Sequence, residues 1–86
     1  MRTSVYPHIV SVSVRQDECF EVVCCVVLDR SARSVFVDGY GATLPDAIYD
    51  CLVEIRKRMD LSDREVIRLS CLATADAVAR YARRMG

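Results

Sequence analysis

In the first half of the chain, apolar residues recur at every second position from Val10 to Val14 and two further apolar runs follow, whereas the apolar residues of the second half recur mostly at helical spacing. A period of two is typical of half-buried strands, and a period of 3.6 is typical of amphipathic helices. Short polar segments divide the first half into three runs. Strands with such short connections pair as antiparallel neighbours. We therefore predict a three-stranded antiparallel meander made of His8–Arg15, Cys19–Leu28 and Ser34–Tyr40.

A helix is predicted after the third strand. Gly39 and Gly41 are expected to break that strand, and Thr43 has the chemistry of a helix N-cap. The helix should begin at Leu44 and end near Met59. Its apolar residues form one stripe that should cover the valine face of the sheet: Leu44, Ala47, Ile48, Cys51, Leu52, Ile55 and Met59.

The segment after this helix has two interpretations. Ser62 and Glu65 have capping-box spacing, which would start one long helix. Alternating apolar residues instead favour a fourth strand, Val66–Leu72, followed by a helix, Ala75–Met85, that Thr74 would cap. We favour the strand, because one helix of roughly 23 residues is long for so small a domain.

The resulting fold class is α+β. The 86 residues make one domain, 1–86. Its elements follow the order βββαβα, with the helices on one face of the sheet.

The second strand is apolar on both faces, so the sheet should leave apolar side chains on its uncovered side. The core face is predicted to carry Val10, Val12, Phe20, Val22, Val26 and Val35. An exposed apolar patch is typical of an interface. We therefore predict a surface for a homodimer or a protein partner on the opposite face, formed by Val23, Cys25, Val27, Phe36 and Tyr40.

The five cysteines are odd in number, and no two of them have CxxC spacing. Cys24 and Cys25 are adjacent in a predicted strand, so their side chains point to opposite faces. All the cysteines except Cys19 lie in apolar segments, and we expect them to be reduced core residues. His8 is the only histidine, and no nucleophile can be placed beside it. We expect no catalytic residue, no metal, no cofactor and no enzymatic activity.

The formal net charge is zero, whereas dedicated nucleic-acid binders usually have a basic excess. The alternative is a nucleic-acid-binding module that uses Arg80, Arg83 and Arg84. No apolar run reaches the roughly 20 residues of a membrane span. No secretory signal is visible in 1–10, so a cytoplasmic location is expected.

The helix entry Gly-Ala-Thr-Leu-Pro-Asp-Ala at 41–47 resembles the Gly-x-Thr-x-x-Glu-Ala phrase of HicB-like antitoxin domains, which have a βββα order. The resemblance covers about half of the chain and implies binding to a small toxin. The HicB-like DNA-binding region is not evident. The predicted element order also resembles a trimmed RNase H-like domain. Only Asp46 or Asp50 matches an acid of that family, which implies that nuclease activity is lacking.

Taken together, these patterns predict a small non-catalytic domain that binds or inhibits a protein. Phage-encoded anti-defence proteins, such as anti-CRISPR proteins, are similar as a class, because they are short, single-domain and poor in motifs. The HicB-like antitoxin and the nucleic-acid-binding module are the alternative functions.

Overall fold

The computed structural model describes residues 6–85, which form three strands followed by two helices. The strands pair in the order β1-β2-β3, and both pairs are antiparallel. This confirms the α+β class and the meander. The elements are β1 (His8–Gln16), β2 (Phe20–Val27), β3 (Ser34–Gly41), α1 (Leu44–Arg58) and α2 (Asp63–Met85).

A bulge in β1 changes which of its residues are buried. The pairing of β1 with β2 shifts between Ile9 and Ser11, so Val10 is an extra residue on its strand. Ile9 is completely buried, and Val10 is 46% exposed. The prediction that Val10 belongs to the core is therefore wrong, because a one-residue insertion reverses the faces on one side of it.

The helix α1 begins as predicted. Thr43 is its N-cap, and the Thr43 hydroxyl accepts the backbone N–H of Asp46 at 3.3 Å. Gly39 lies inside β3 and does not break it, and Gly41 is the last residue of that strand. A Cβ atom on Gly39 would lie 2.1 Å from the backbone nitrogen of Cys51. The glycine thus allows the backbone of α1 to approach β3 closely.

The predicted fourth strand, Val66–Leu72, is wrong, because this segment belongs to the single helix α2. The Ser62 hydroxyl accepts the Glu65 N–H at 3.3 Å, which caps the start of the helix. Thr74 does not cap a new helix, since its hydroxyl donates to the carbonyl of Ser70 at 2.8 Å. The order is therefore βββαα.

The burial pattern along α2 is helical and not alternating. Leu69 and Ala73, four residues apart, are completely buried. Ile67 is 63% exposed, and Cys71 is exposed as well. The apparent alternation of Ile67, Leu69 and Cys71 therefore combines one buried position with two positions on the outer side of a helix.

Two carboxylates attach α2 to the free edge of β1. A carboxylate oxygen of Glu65 accepts the backbone N–H of Ile9 at 3.1 Å, and one of Asp76 accepts that of Val14 at 2.6 Å. Eleven helical residues rise about 16 Å, and five strand residues span about the same distance. The spacing on the helix thus matches the spacing on the strand, and α2 runs alongside β1 in the same direction.

The other edge of the sheet has a similar contact. Asp50 of α1 accepts the backbone N–H of Tyr40 on β3 at 2.9 Å. An uncovered edge strand presents N–H groups that can pair with another chain. Carboxylates from the helices therefore satisfy N–H groups on both edge strands of this sheet.

One buried cluster joins the sheet to both helices. All three strands, α1 and α2 contribute to it, and β2 supplies every second residue from Val22 to Val26. The cluster consists of Ile9, Val12, Val14, Val22, Cys24, Val26, Val37, Ala47, Cys51, Ile55, Leu69 and Ala73.

None of the described helices is both long and apolar enough to cross a membrane.

Candidate binding surface

The strand register brings the predicted interface residues together on one face of the sheet. Cys25 of β2 is the cross-strand partner of Phe36, and Glu21 is the partner of Tyr40. Val23 and Val27 are the residues two positions on either side of Cys25, so their side chains point to the same face. We call the surface made of Val23, Cys25, Val27, Phe36 and Tyr40 the open face.

Exposure differs between the strands of the open face. Phe36 is 67% exposed and Tyr40 is 52% exposed. The three open-face residues of β2 are half-buried, because they lie on the central strand. On β1, the neighbouring residues are Ser11 and Ser13, which pair with Cys25 and Val23. The apolar residues of the face therefore lie on β2 and β3, beside the serines of β1.

A polar row crosses the three strands at one end of the open face. Arg15 is paired with Glu21 in the register, and their charged groups lie 3.6 Å apart. The Tyr40 hydroxyl donates to a carboxylate oxygen of Glu21 at 2.8 Å and lies 3.3 Å from one of Asp38. The hydrogen bond to Glu21 raises the pKa of Tyr40 to about 12, because ionising the phenol would remove the donor and add a like charge.

The arginines of the nucleic-acid alternative are in different environments. Arg80 is half-buried, and its Nε–H donates to Asp76 at 2.8 Å. Arg83 is exposed on the last turns of α2. The side chain of Arg84 lies outside the described residues.

The structure separates the cysteines into three groups. Cys24 and Cys51 are completely buried, Cys25 is half-buried, and Cys19 and Cys71 are exposed. The expectation that Cys71 is a core residue is therefore wrong, because it faces outward on α2. The hydrogen bond with Cys51, together with burial, raises the pKa of the Cys24 thiol.

Within 6–85, no group of three or more His, Cys, Asp or Glu side chains is arranged to hold a metal ion. The ring of His8 lies against that of Tyr6, with centroids 4.8 Å apart.

Sequence reasoning missed a groove at the end of the sheet. The groove lies between the last turns of α2, the β1–β2 turn and the start of α1, and its volume is about 720 Å³. Its lining residues on α2 run from Ala77 to Arg83, inside the predicted helix Ala75–Met85, but their position beside the end of β1 is set by tertiary packing.

Comparison with known proteins gives no relative for this chain. No protein-family model matches it, and no curated protein or solved structure matches it either.

Proposed function

We propose that this chain is a small non-catalytic domain that binds a protein through its open face. The observation that carries the proposal is the exposure of Phe36 beside the apolar residues of the central strand. Exposed aromatic side chains surrounded by apolar neighbours are common anchors of protein interfaces. Burying one such side chain contributes roughly 1.5 to 3 kcal/mol.

The arrangement of the helices supports an uncovered sheet face. Buried residues of α1 and α2, including Cys51 and Leu69, belong to the same cluster as the inward residues Val22 and Val37. We infer that both helices pack on this side of the sheet. The opposite side would then be left to a partner.

The first partner to test is a second copy of the chain. A net charge of zero provides no overall repulsion between copies, and such proteins associate more readily than highly charged ones. A more specific version of the proposal is that the chain inhibits the protein to which it binds, as phage anti-defence proteins do. The HicB-like and nucleic-acid alternatives stay predictions.

The test compares the double variant Val23→Ser, Phe36→Ser with the wild-type chain by sedimentation equilibrium and by circular dichroism. We expect a folded variant that has lost self-association. A matched control replaces Ile67 and Val78, which are each 63% exposed on α2, with serine. That control should associate like the wild type.

Three outcomes are informative. A monomeric wild type would exclude a second copy of the chain as the partner. The same variants would then be compared for binding to another protein. Unfolding of the double variant would show that Val23 and Phe36 are needed for stability, which would contradict a surface reserved for a partner. A folded variant with unchanged association would contradict the role of the open face.

A further inference from the structure

The helix α2 extends past the end of the strand that it packs against. Asp76 lies beside Val14, and β1 ends only two residues later, at Gln16. Those two residues span about 7 Å, whereas the nine residues from Asp76 to Met85 rise about 13 Å. About one turn of α2 therefore has no β1 beneath it. The groove of about 720 Å³ lies where α2 passes the end of β1, and its lining residues on α2 run from Ala77 to Arg83.

The wall of the groove is largely apolar. Three elements supply it: the sheet end, the first residue of α1 and the outer turns of α2. Val78 is 63% exposed and Tyr81 is 65% exposed, although both line a concave surface. A ligand in the groove would therefore remove a large apolar area from water. The apolar lining residues are Val14, Phe20, Leu44, Ala77, Val78 and Tyr81.

The charged side chains that line the groove are all arginines: Arg15, Arg80 and Arg83. The Nε–H of Arg80 is used by Asp76, but a guanidinium has five N–H donors, so its terminal amino groups keep further donors. Arg15 is 3.6 Å from Glu21 and its side chain is 73% exposed. The charges of the lining thus favour an anion, and planar guanidinium groups suit a carboxylate.

We propose that this groove binds a small amphipathic carboxylate, with the apolar body against α2 and the carboxylate beside the arginines. A volume of about 720 Å³ is typical of small-molecule sites, which range over roughly 300 to 1,000 Å³. Apolar walls with a few polar groups are also typical of such sites. The proposal does not depend on the open face, which involves other residues of the sheet.

The test is a titration of the isotope-labelled protein with decanoate up to about 1 mM, followed by nuclear magnetic resonance. We expect saturable shifts at Ala77, Val78 and Tyr81. Arg83→Glu should weaken binding about fivefold or more, because it replaces an attractive charge with a repulsive one. Arg64→Glu is the matched control, an exposed charge reversal in the first turn of the same helix. It should change binding less than about twofold.

A second pair of variants tests the apolar contact. Val78→Ser should weaken decanoate binding, and Ile67→Ser, at the same 63% exposure, should not. The open-face double variant should bind decanoate like the wild type, which separates this proposal from the proposed function. The proposal would be overturned by the absence of a saturable shift, by equal effects of Arg83→Glu and Arg64→Glu, or by equal binding of the cation decyltrimethylammonium. Preference for an acidic peptide over decanoate would also overturn it, in favour of a protein ligand.

Discussion

A carboxylate oxygen of Asp76 accepts the backbone N–H of Val14 at 2.6 Å, and the same atom accepts the Nε–H of Arg80 at 2.8 Å. One side chain thus satisfies a donor on the edge strand and orients an arginine of the groove. Glu65 makes the equivalent backbone contact to Ile9, three helical turns earlier. These two contacts set where α2 lies along β1.

Asp76→Ala should destabilise the fold by about 1 to 3 kcal/mol. The variant leaves the Val14 N–H without its acceptor at a partly buried position. Urea unfolding followed by circular dichroism measures the change. Arg80→Ala is the control, because it removes only the ion pair and should cost less than about 1 kcal/mol. Equal losses in the two variants would show that the bond to Val14 contributes nothing.

Gly39→Ala should destabilise the fold by about 3 kcal/mol. The added Cβ would lie 2.1 Å from the backbone nitrogen of Cys51, so α1 or β3 has to move. Ala42→Ser, at an exposed position between β3 and α1, is the control and should be within about 0.5 kcal/mol of the wild type. Thermal unfolding compares the two variants. A Gly39→Ala protein as stable as the control would contradict the close approach.

A thiol reagent should label Cys19 and Cys71 rapidly in the native protein, because both are exposed. Cys24 and Cys51 should react only after denaturation, since burial blocks access and the raised pKa keeps the Cys24 thiol protonated. Mass spectrometry at successive times follows the labelling. The double variant Cys19→Ser, Cys71→Ser should lose the rapid phase. Rapid labelling that persists in this variant would contradict the assignment.

The titration of Tyr40 should respond to Glu21. The hydrogen bond to Glu21 raises the pKa of Tyr40 to about 12, and Glu21→Gln should move it toward the ordinary value of 10. The folded state favours the protonated phenol. The hydrogen bond between Tyr40 and Glu21 therefore contributes fully to stability below about pH 10, and this contribution is lost as the pH rises through about 12. Tyrosinate absorbance against pH, with Tyr40→Phe subtracted, measures the shift. An unchanged pKa in Glu21→Gln would exclude the hydrogen bond as its cause.

Local patterns were sufficient for most of the sheet and for α1. The apolar patterns around Val12, Val22 and Val37 predicted the three strands to within one residue at each end, because strand periodicity and short polar links are local properties. Thr43 predicted the helix start for the same reason. The strand register brings the predicted open-face residues together, but their role in binding stays a prediction.

The amino-acid sequence by itself determined the meander, the capped helix α1 and the possibility of an apolar sheet face, since each depends on side chains a few residues apart. Only the tertiary structure decided the bulge at Val10 and the state of the segment after Ser62. In that segment the local signals conflicted. A continuous helix buries Leu69 in the core and lets Glu65 and Asp76 accept backbone N–H groups of β1. The groove follows from the same cause, because it depends on how far α2 extends relative to a strand that lies more than 60 residues earlier in the chain.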